Sequence, residues 1–116
     1  MDATPALTYS RSVFTFIETR LFTRLVGEYL SDDEYLKLQA ALADDPEAGA
    51  VIPESGGIRK LRWGLAGRGK RGGLRVIYYL RSREGVIWML TLYPKNIAEN
   101  IPTHVLRKIR QEIENG

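Results

Sequence analysis

The 116-residue chain has no cysteine. That absence excludes a disulfide framework and a cysteine nucleophile, and it suits a reducing cytoplasm, where the protein is expected to reside. No apolar run approaches the ~20 residues of a membrane span, so no membrane is expected among its partners. The opening MDATPALTYSRSV has no basic n-region followed by an apolar h-region, and no secretory signal is expected. Histidine occurs once, as His104, and the carboxylate run DDE at 32–34 has the pattern of a helix start. Neither a metal nor a cofactor is therefore expected.

The most informative absence is of acid. Between Gly56 and Arg83 the chain carries nine Lys/Arg and no Asp or Glu. Residues 1–55 balance at −6 and residues 56–116 at +9, which the modest overall +3 conceals. A field of one sign over so short a stretch concentrates anions and points to a nucleic-acid partner.

What is present reads as one domain, 13–116, behind a flexible N-terminal arm, 1–12. SVFTFIE (12–18) alternates as a first strand. TRLFTRLVGEYL (19–30) places Leu21, Leu25 and Tyr29 at helical spacing. Ser31 and Glu34 form a capping box for a second helix, with Tyr35, Leu38 and Leu42 inward, which ends near Asp44 ahead of Pro46. From Ile58 the period changes to two: Leu61, Trp63 and Leu65 face one way, Lys60 and Arg62 the other. LRVIYYLR (74–81) alternates likewise, SREG (82–85) signals a hairpin, and VIWMLTLY (86–93) is apolar on both faces, as in an interior strand. IPTHVLRKIRQEIENG closes the chain as a helix, with Pro102 at its start and Val105, Ile109 and Ile113 inward. The order β-α-α-β-β-β-α predicts an α+β fold, with helices on one face of a mostly antiparallel sheet.

The other face then carries Lys60, Arg62 and Arg75, and TLYPKN sets Tyr93 and Lys95 at its lip. Taken singly, Tyr93 reads as a half-buried aromatic and Lys95 as a solvated lysine. Together the five suit metal-independent RNA cleavage, in which a 2′-OH attacks the adjacent phosphorus. The arginine fork matches the charge growing on the phosphorane oxygens. Lysines can exchange protons when other cations crowd them, and an aromatic ring can hold an unstacked base. His104 lacks the second histidine that a two-imidazole mechanism requires. The GRGKRGG run (67–73) predicts a glycine-rich loop whose Arg68, Lys70 and Arg71 grip phosphates, with Arg59 and Arg81 as further RNA or ribosome contacts.

The run GGIRKLRWGLAGRGKRGGLRVIYYL, followed by LTLYPKN and preceded by LSDDEYLKLQAAL, resembles the RelE/ParE toxin superfamily, in particular its HigB-type branch. The resemblance implies a microbial-ribonuclease-type fold. It also implies a toxin of a type II toxin–antitoxin system, an mRNA interferase that cleaves mRNA on the ribosome and so inhibits translation. The implied partners are the ribosome, mRNA and a cognate antitoxin, a helix-turn-helix protein similar to HigA. By position, Arg75 resembles the family's phosphate-binding arginine, Lys60 and Arg62 its basic pair, and Lys95 the basic residue after its last strand. RelE-like members place a catalytic tyrosine nearer the C-terminus, where this chain offers Asn96, Asn100 and His104. Two alternatives stay open: a ParE-like toxin that inhibits DNA gyrase without hydrolysis, and an RNA-binding module without catalysis.

Overall fold

Local signals set the element boundaries. In a computed structural model, which describes residues 13–65, 69–95 and 101–115 (backbone alone for 65, 69–72 and 115), the elements follow those signals closely. The expected arm at 1–12 lies outside the described residues. Five strands form one sheet in the order β1-β5-β4-β3-β2, with β1 at Thr15–Glu18, β2 at Ala50–Val51, β3 at Ile58–Leu65, β4 at Gly69–Arg81 and β5 at Val86–Pro94. β3, β4 and β5 make the expected antiparallel meander, and β1 joins β5 in parallel. β2, which the sequence pattern did not reveal, adds a two-residue edge to β3. The helices are α1 (Arg20–Tyr29), α2 (Asp32–Asp44) and α3 (Thr103–Asn115).

Two hydroxyls start the first two helices. Thr19 Oγ1 accepts the Phe22 N–H at 3.0 Å and donates to the Leu90 carbonyl at 2.7 Å, so one side chain both caps α1 and docks it on β5. Ser31 Oγ accepts the Glu34 N–H at 3.1 Å while the Glu34 carboxylate accepts the Ser31 N–H at 2.8 Å, the reciprocal box expected from the sequence. Removing such a cap typically costs about 1 kcal/mol.

The apolar residues divide into two cores, one on each face of the sheet. On the first face Phe22, Leu38 and Leu42 of α1 and α2 meet Val76, Tyr78, Met89 and Leu92, all without solvent exposure. On the second, Leu106 packs with Ile58, Ile77 and Leu90, flanked by Ile109 and Ile113. The expectation of helices on one face thus holds for α1 and α2, whereas α3 covers part of the other. The cause is β5, whose two apolar faces both require cover. Within α3 the inward position is Leu106; Val105, expected inward, is exposed. In α1 the buried position is Phe22, and Leu21 faces solvent.

Polar groups inside the first core are satisfied. The Tyr78 hydroxyl donates to the Pro46 carbonyl (2.7 Å) and accepts the Gly49 N–H (2.9 Å), which fixes the chain leaving α2. Glu18 accepts from the hydroxyls of Thr23 and Tyr35, both at 2.6 Å, tying β1 to both helices. Burial, reinforced by the bond to Glu18, raises the Tyr35 pKa.

A bulge in β5 decides where the strand's end points. Ile77 pairs with Thr91 and Tyr78 with Met89, so Leu90 is an extra residue. Strict alternation would group Tyr93 and Thr91 with Met89 on the first face; the bulge instead places Tyr93 with Leu90 and Trp88, on the second.

Candidate functional site

The register brings the cations into one row. Arg62 of β3 lies opposite Arg75 of β4, and Arg75 lies opposite Tyr93 of β5. At strand spacings near 4.8 Å, the row spans about 10 Å from Arg62 to Tyr93. Lys60 pairs with Ile77 on the same face, two residues along β3 from Arg62. Lys95 follows the end of β5, where its backbone N–H donates to the Gly73 carbonyl at 3.4 Å. Four of the five expected catalytic residues therefore share one sheet face, and Lys95 stands at its rim.

Electrostatics mark this end of the face as unusual. Like charges directly opposite across antiparallel strands are destabilising by a few tenths to about 1 kcal/mol. Arg62 and Arg75 are held in that arrangement, and among the described residues no carboxylate lies within ion-pair distance of Arg62, Arg75 or Lys95. Opposed cations of this kind attract anions, phosphate groups among them.

Two clefts open here because α3 covers only the remainder of the face. One, of about 420 Å³, is lined by Arg62, Trp63, Gly64, Gly73, Arg75 and Lys95. The other, of about 520 Å³, lies between the turn after β2 and the start of α3, with Ile77 and Tyr93 from the sheet and Lys60 at its wall. Tyr93 is 9 % exposed and belongs to the second core as well as to this cleft. Burial raises its pKa and the Arg75 charge opposes that shift. The phenol is consequently neutral near pH 7, fit to donate a proton or hydrogen bond and unfit to act as a phenolate base.

The remaining sequence-derived candidates do not join the row. Arg59 points to the opposite face, where its guanidinium donates to the carbonyls of Glu47 (3.2 Å) and Gly49 (2.7 Å) and pairs with the Glu47 carboxylate at 3.9 Å. It braces the same segment as Tyr78. Arg81 is on the same face as Arg75 but six residues along β4, roughly 20 Å away, and is paired with Glu84 (2.7 Å) and Glu114 (3.8 Å). Arg68 lies outside the described residues, as do the side chains of Lys70 and Arg71. The backbone of 69–73 is nevertheless strand: β4 begins at Gly69, so most of the expected GRGKRGG loop is an extension of the hairpin. Asn96 and Asn100 also lie outside the described residues, and His104 is exposed in the first turn of α3. The residues missed by sequence reasoning are Ile52, Pro53, Glu54, Ile101 and Thr103, which line the larger cleft and carry no local pattern of their own. Among the described residues no group of His, Asp or Glu is placed to hold a metal ion, and no helix is long and apolar enough to cross a membrane.

No protein-family model matches the chain. A solved structure is similar: a doubly substituted variant of the E. coli toxin RelE in the free state, with a TM-score of 0.52 at 16% identity, over 84% of this chain and 97% of that one. The chain has the RelE fold. Among the described residues that fold is α+β, a mostly antiparallel five-stranded sheet with three α-helices.

Proposed function

We propose that the chain is the toxin of a type II toxin–antitoxin system, of the HigB-type branch of RelE-like proteins, and that it cleaves mRNA on the ribosome. The observation that carries this reading is the row Arg62–Arg75–Tyr93, with Lys60 and Lys95 beside it, on the open end of a RelE-like sheet. In the reaction, the 2′-oxygen forms a bond to phosphorus while the bond from phosphorus to the 5′-oxygen breaks. The products are a 2′,3′-cyclic phosphate and a free 5′-hydroxyl. Negative charge grows on the non-bridging oxygens, and Arg62 and Arg75, opposite each other on adjacent antiparallel strands, can offer it two guanidinium forks. Lys60 and Lys95, one from each of the two clefts beside the row, take the proton-transfer roles. The neutral Tyr93 phenol donates to a phosphorane oxygen or to the departing 5′-oxygen.

This reading needs no metal and no cofactor. It implies three partners: the ribosome, mRNA, and an antitoxin, which we take to be a helix-turn-helix protein. Arg68, Lys70 and Arg71 serve as phosphate contacts, while Arg59 and Arg81, being engaged within the protein, are assigned no such role. A gyrase inhibitor of the same fold has no use for a row of opposed arginines, which is the observation against that alternative.

Incubating the purified protein with translating ribosomes in excess EDTA tests the reading. Cut mRNA bearing 2′,3′-cyclic phosphate ends is the expected result; intact mRNA, with the protein still folded, would refute it.

A further inference from the structure

The larger cleft combines apolar walls with a carboxylate, a combination that the cleavage chemistry does not call on. Ile52, Pro53, Ile77, Ile101, Pro102 and Tyr93 supply most of its lining, and its volume of about 520 Å³ is in the range of small-molecule sites. It shares Lys60 and Tyr93 with the cleavage centre, so a ligand lodged here is continuous with a phosphate on the arginine row. Among the described residues Glu54 is the only carboxylate lining either cleft. A carboxylate beside a phosphate site weakens phosphate binding, which leaves its presence unexplained by electrostatic attraction alone.

Glu54 is also held firmly. Its φ of 63° lies in the left-handed region that non-glycine residues seldom adopt. The buried Ser55 hydroxyl donates to the Ile52 carbonyl (2.7 Å) and accepts the Ile58 N–H (3.0 Å), closing the turn on both sides. Ile52 N–H donates to the Ile58 carbonyl at 2.8 Å, and Arg107 of α3 donates to the Glu54 carbonyl at 3.5 Å. Gly56 completes the turn at φ +84°, where Arg110 packs so close that a Cβ would collide with it. Backbone strain clamped from both sides is characteristic of ligand-gripping turns, and the bonding leaves the Glu54 side chain as the variable element at the cleft.

We infer that this cleft is a nucleobase subsite in which Glu54 selects guanine. The inference rests on the RNA-cleaving reading given above and adds its base specificity. Guanine presents two adjacent donors on its Watson–Crick edge, N1–H and N2–H, which one carboxylate accepts together. Adenine, cytosine and uracil each offer a single donor on that edge. The Thr103 hydroxyl, also at the cleft, is suited to donate to guanine O6. The apolar walls hold the unstacked ring, as single-stranded RNA recognition requires. A two-point contact of this kind corresponds to roughly tenfold discrimination or more.

Titrating the protein with each of the four ribonucleoside 3′-monophosphates tests the subsite without the ribosome. The guanosine compound should bind about tenfold more tightly than the other three, and Glu54→Gln should bring the four to near equality. Mapping cut positions on translating ribosomes should show the same loss of guanine preference. Equal binding of all four by the native protein would overturn the inference. So would an equal weakening of all four by E54Q, which would make Glu54 a counter-charge for Lys60. If E54Q does not fold, Thr103→Val reads the same preference from the other contact, and an unchanged preference there and in cut positions counts against the subsite. Selective guanosine binding without mRNA cleavage would refute the nuclease reading and leave the subsite standing. Cleavage indifferent to base would do the reverse.

Discussion

Among its described side chains β4 carries two arginines on one face, Arg75 and Arg81, and the protein treats them in opposite ways. Arg81 stands at the end covered by α3, where Glu84 and Glu114 neutralise it and the Tyr79 hydroxyl donates to Glu114 at 2.5 Å. Arg75 stands at the open end, opposite Arg62, with no carboxylate among the described residues in reach. The two positions are equivalent by sequence parity and by residue type. Neighbours supplied by tertiary structure make one a fastener and leave the charge of the other unbalanced. Charge left unbalanced in a defined geometry is better evidence for a ligand than charge as such.

The contrast predicts that the open end trades stability for function. Arg62→Glu converts the opposed arginines into a cross-strand ion pair, so the variant should be more stable by up to about 1 kcal/mol in chemical denaturation. Its cleavage rate should fall at least a hundredfold, because the replacement repels the phosphate as well as removing a donor. A variant that loses both stability and activity would show that the row is part of the structural frame.

Arg81→Ala should give the converse. Its ion pairs are partly exposed, so their loss should lower stability by no more than about 1 kcal/mol, seen as a small fall in Tm. Cleavage by this variant should remain within about twofold of the native rate, since the site lies roughly 20 Å from the row.

Much of this arrangement was legible in the sequence. Alternation from Ile58 onward put Lys60, Arg62 and Arg75 on a common face, because strand parity is a property of the backbone. The Ser31–Glu34 box was equally legible, being local in origin. Three features were not. The Leu90 bulge, which turns Tyr93 toward Arg75, depends on how β5 registers against β4. The position of α3 on the second face depends on which core its Leu106, Ile109 and Ile113 complete. Arg59 looked like part of the basic footprint, yet parity already sets it opposite Lys60, and its carbonyl partners at Glu47 and Gly49 come from a segment whose path no pattern reveals. Glu54 carries no signal at all until the turn and the start of α3 are brought together.

The covered end also makes a prediction about pH, with a smaller effect. The Tyr79 hydrogen bond, helped by the charges of Arg81 and Arg110, holds the Glu114 carboxyl below its ordinary 4.5. A depressed folded-state pKa means that the contribution is present above about 4.5 and is lost as pH falls through the lowered value. Amide exchange in the last turns of α3 should therefore quicken on acidification below about 4.5, beyond the intrinsic pH dependence of exchange. Glu114→Gln should show no such added step, whereas an identical response in that variant would assign the loosening to another group.

The comparison is tested most directly by single-turnover cleavage of mRNA at saturating ribosome concentration, with Arg75→Ala and Arg81→Ala measured side by side. Saturation removes differences in binding, so the rates report the chemical step. The account predicts a loss of about 10²–10³ for Arg75→Ala, the scale expected for removing one preorganised donor to a transition-state oxyanion, and a near-native rate for Arg81→Ala. Equal losses in the two variants, or an Arg75→Ala protein that cuts at the native rate, would contradict it.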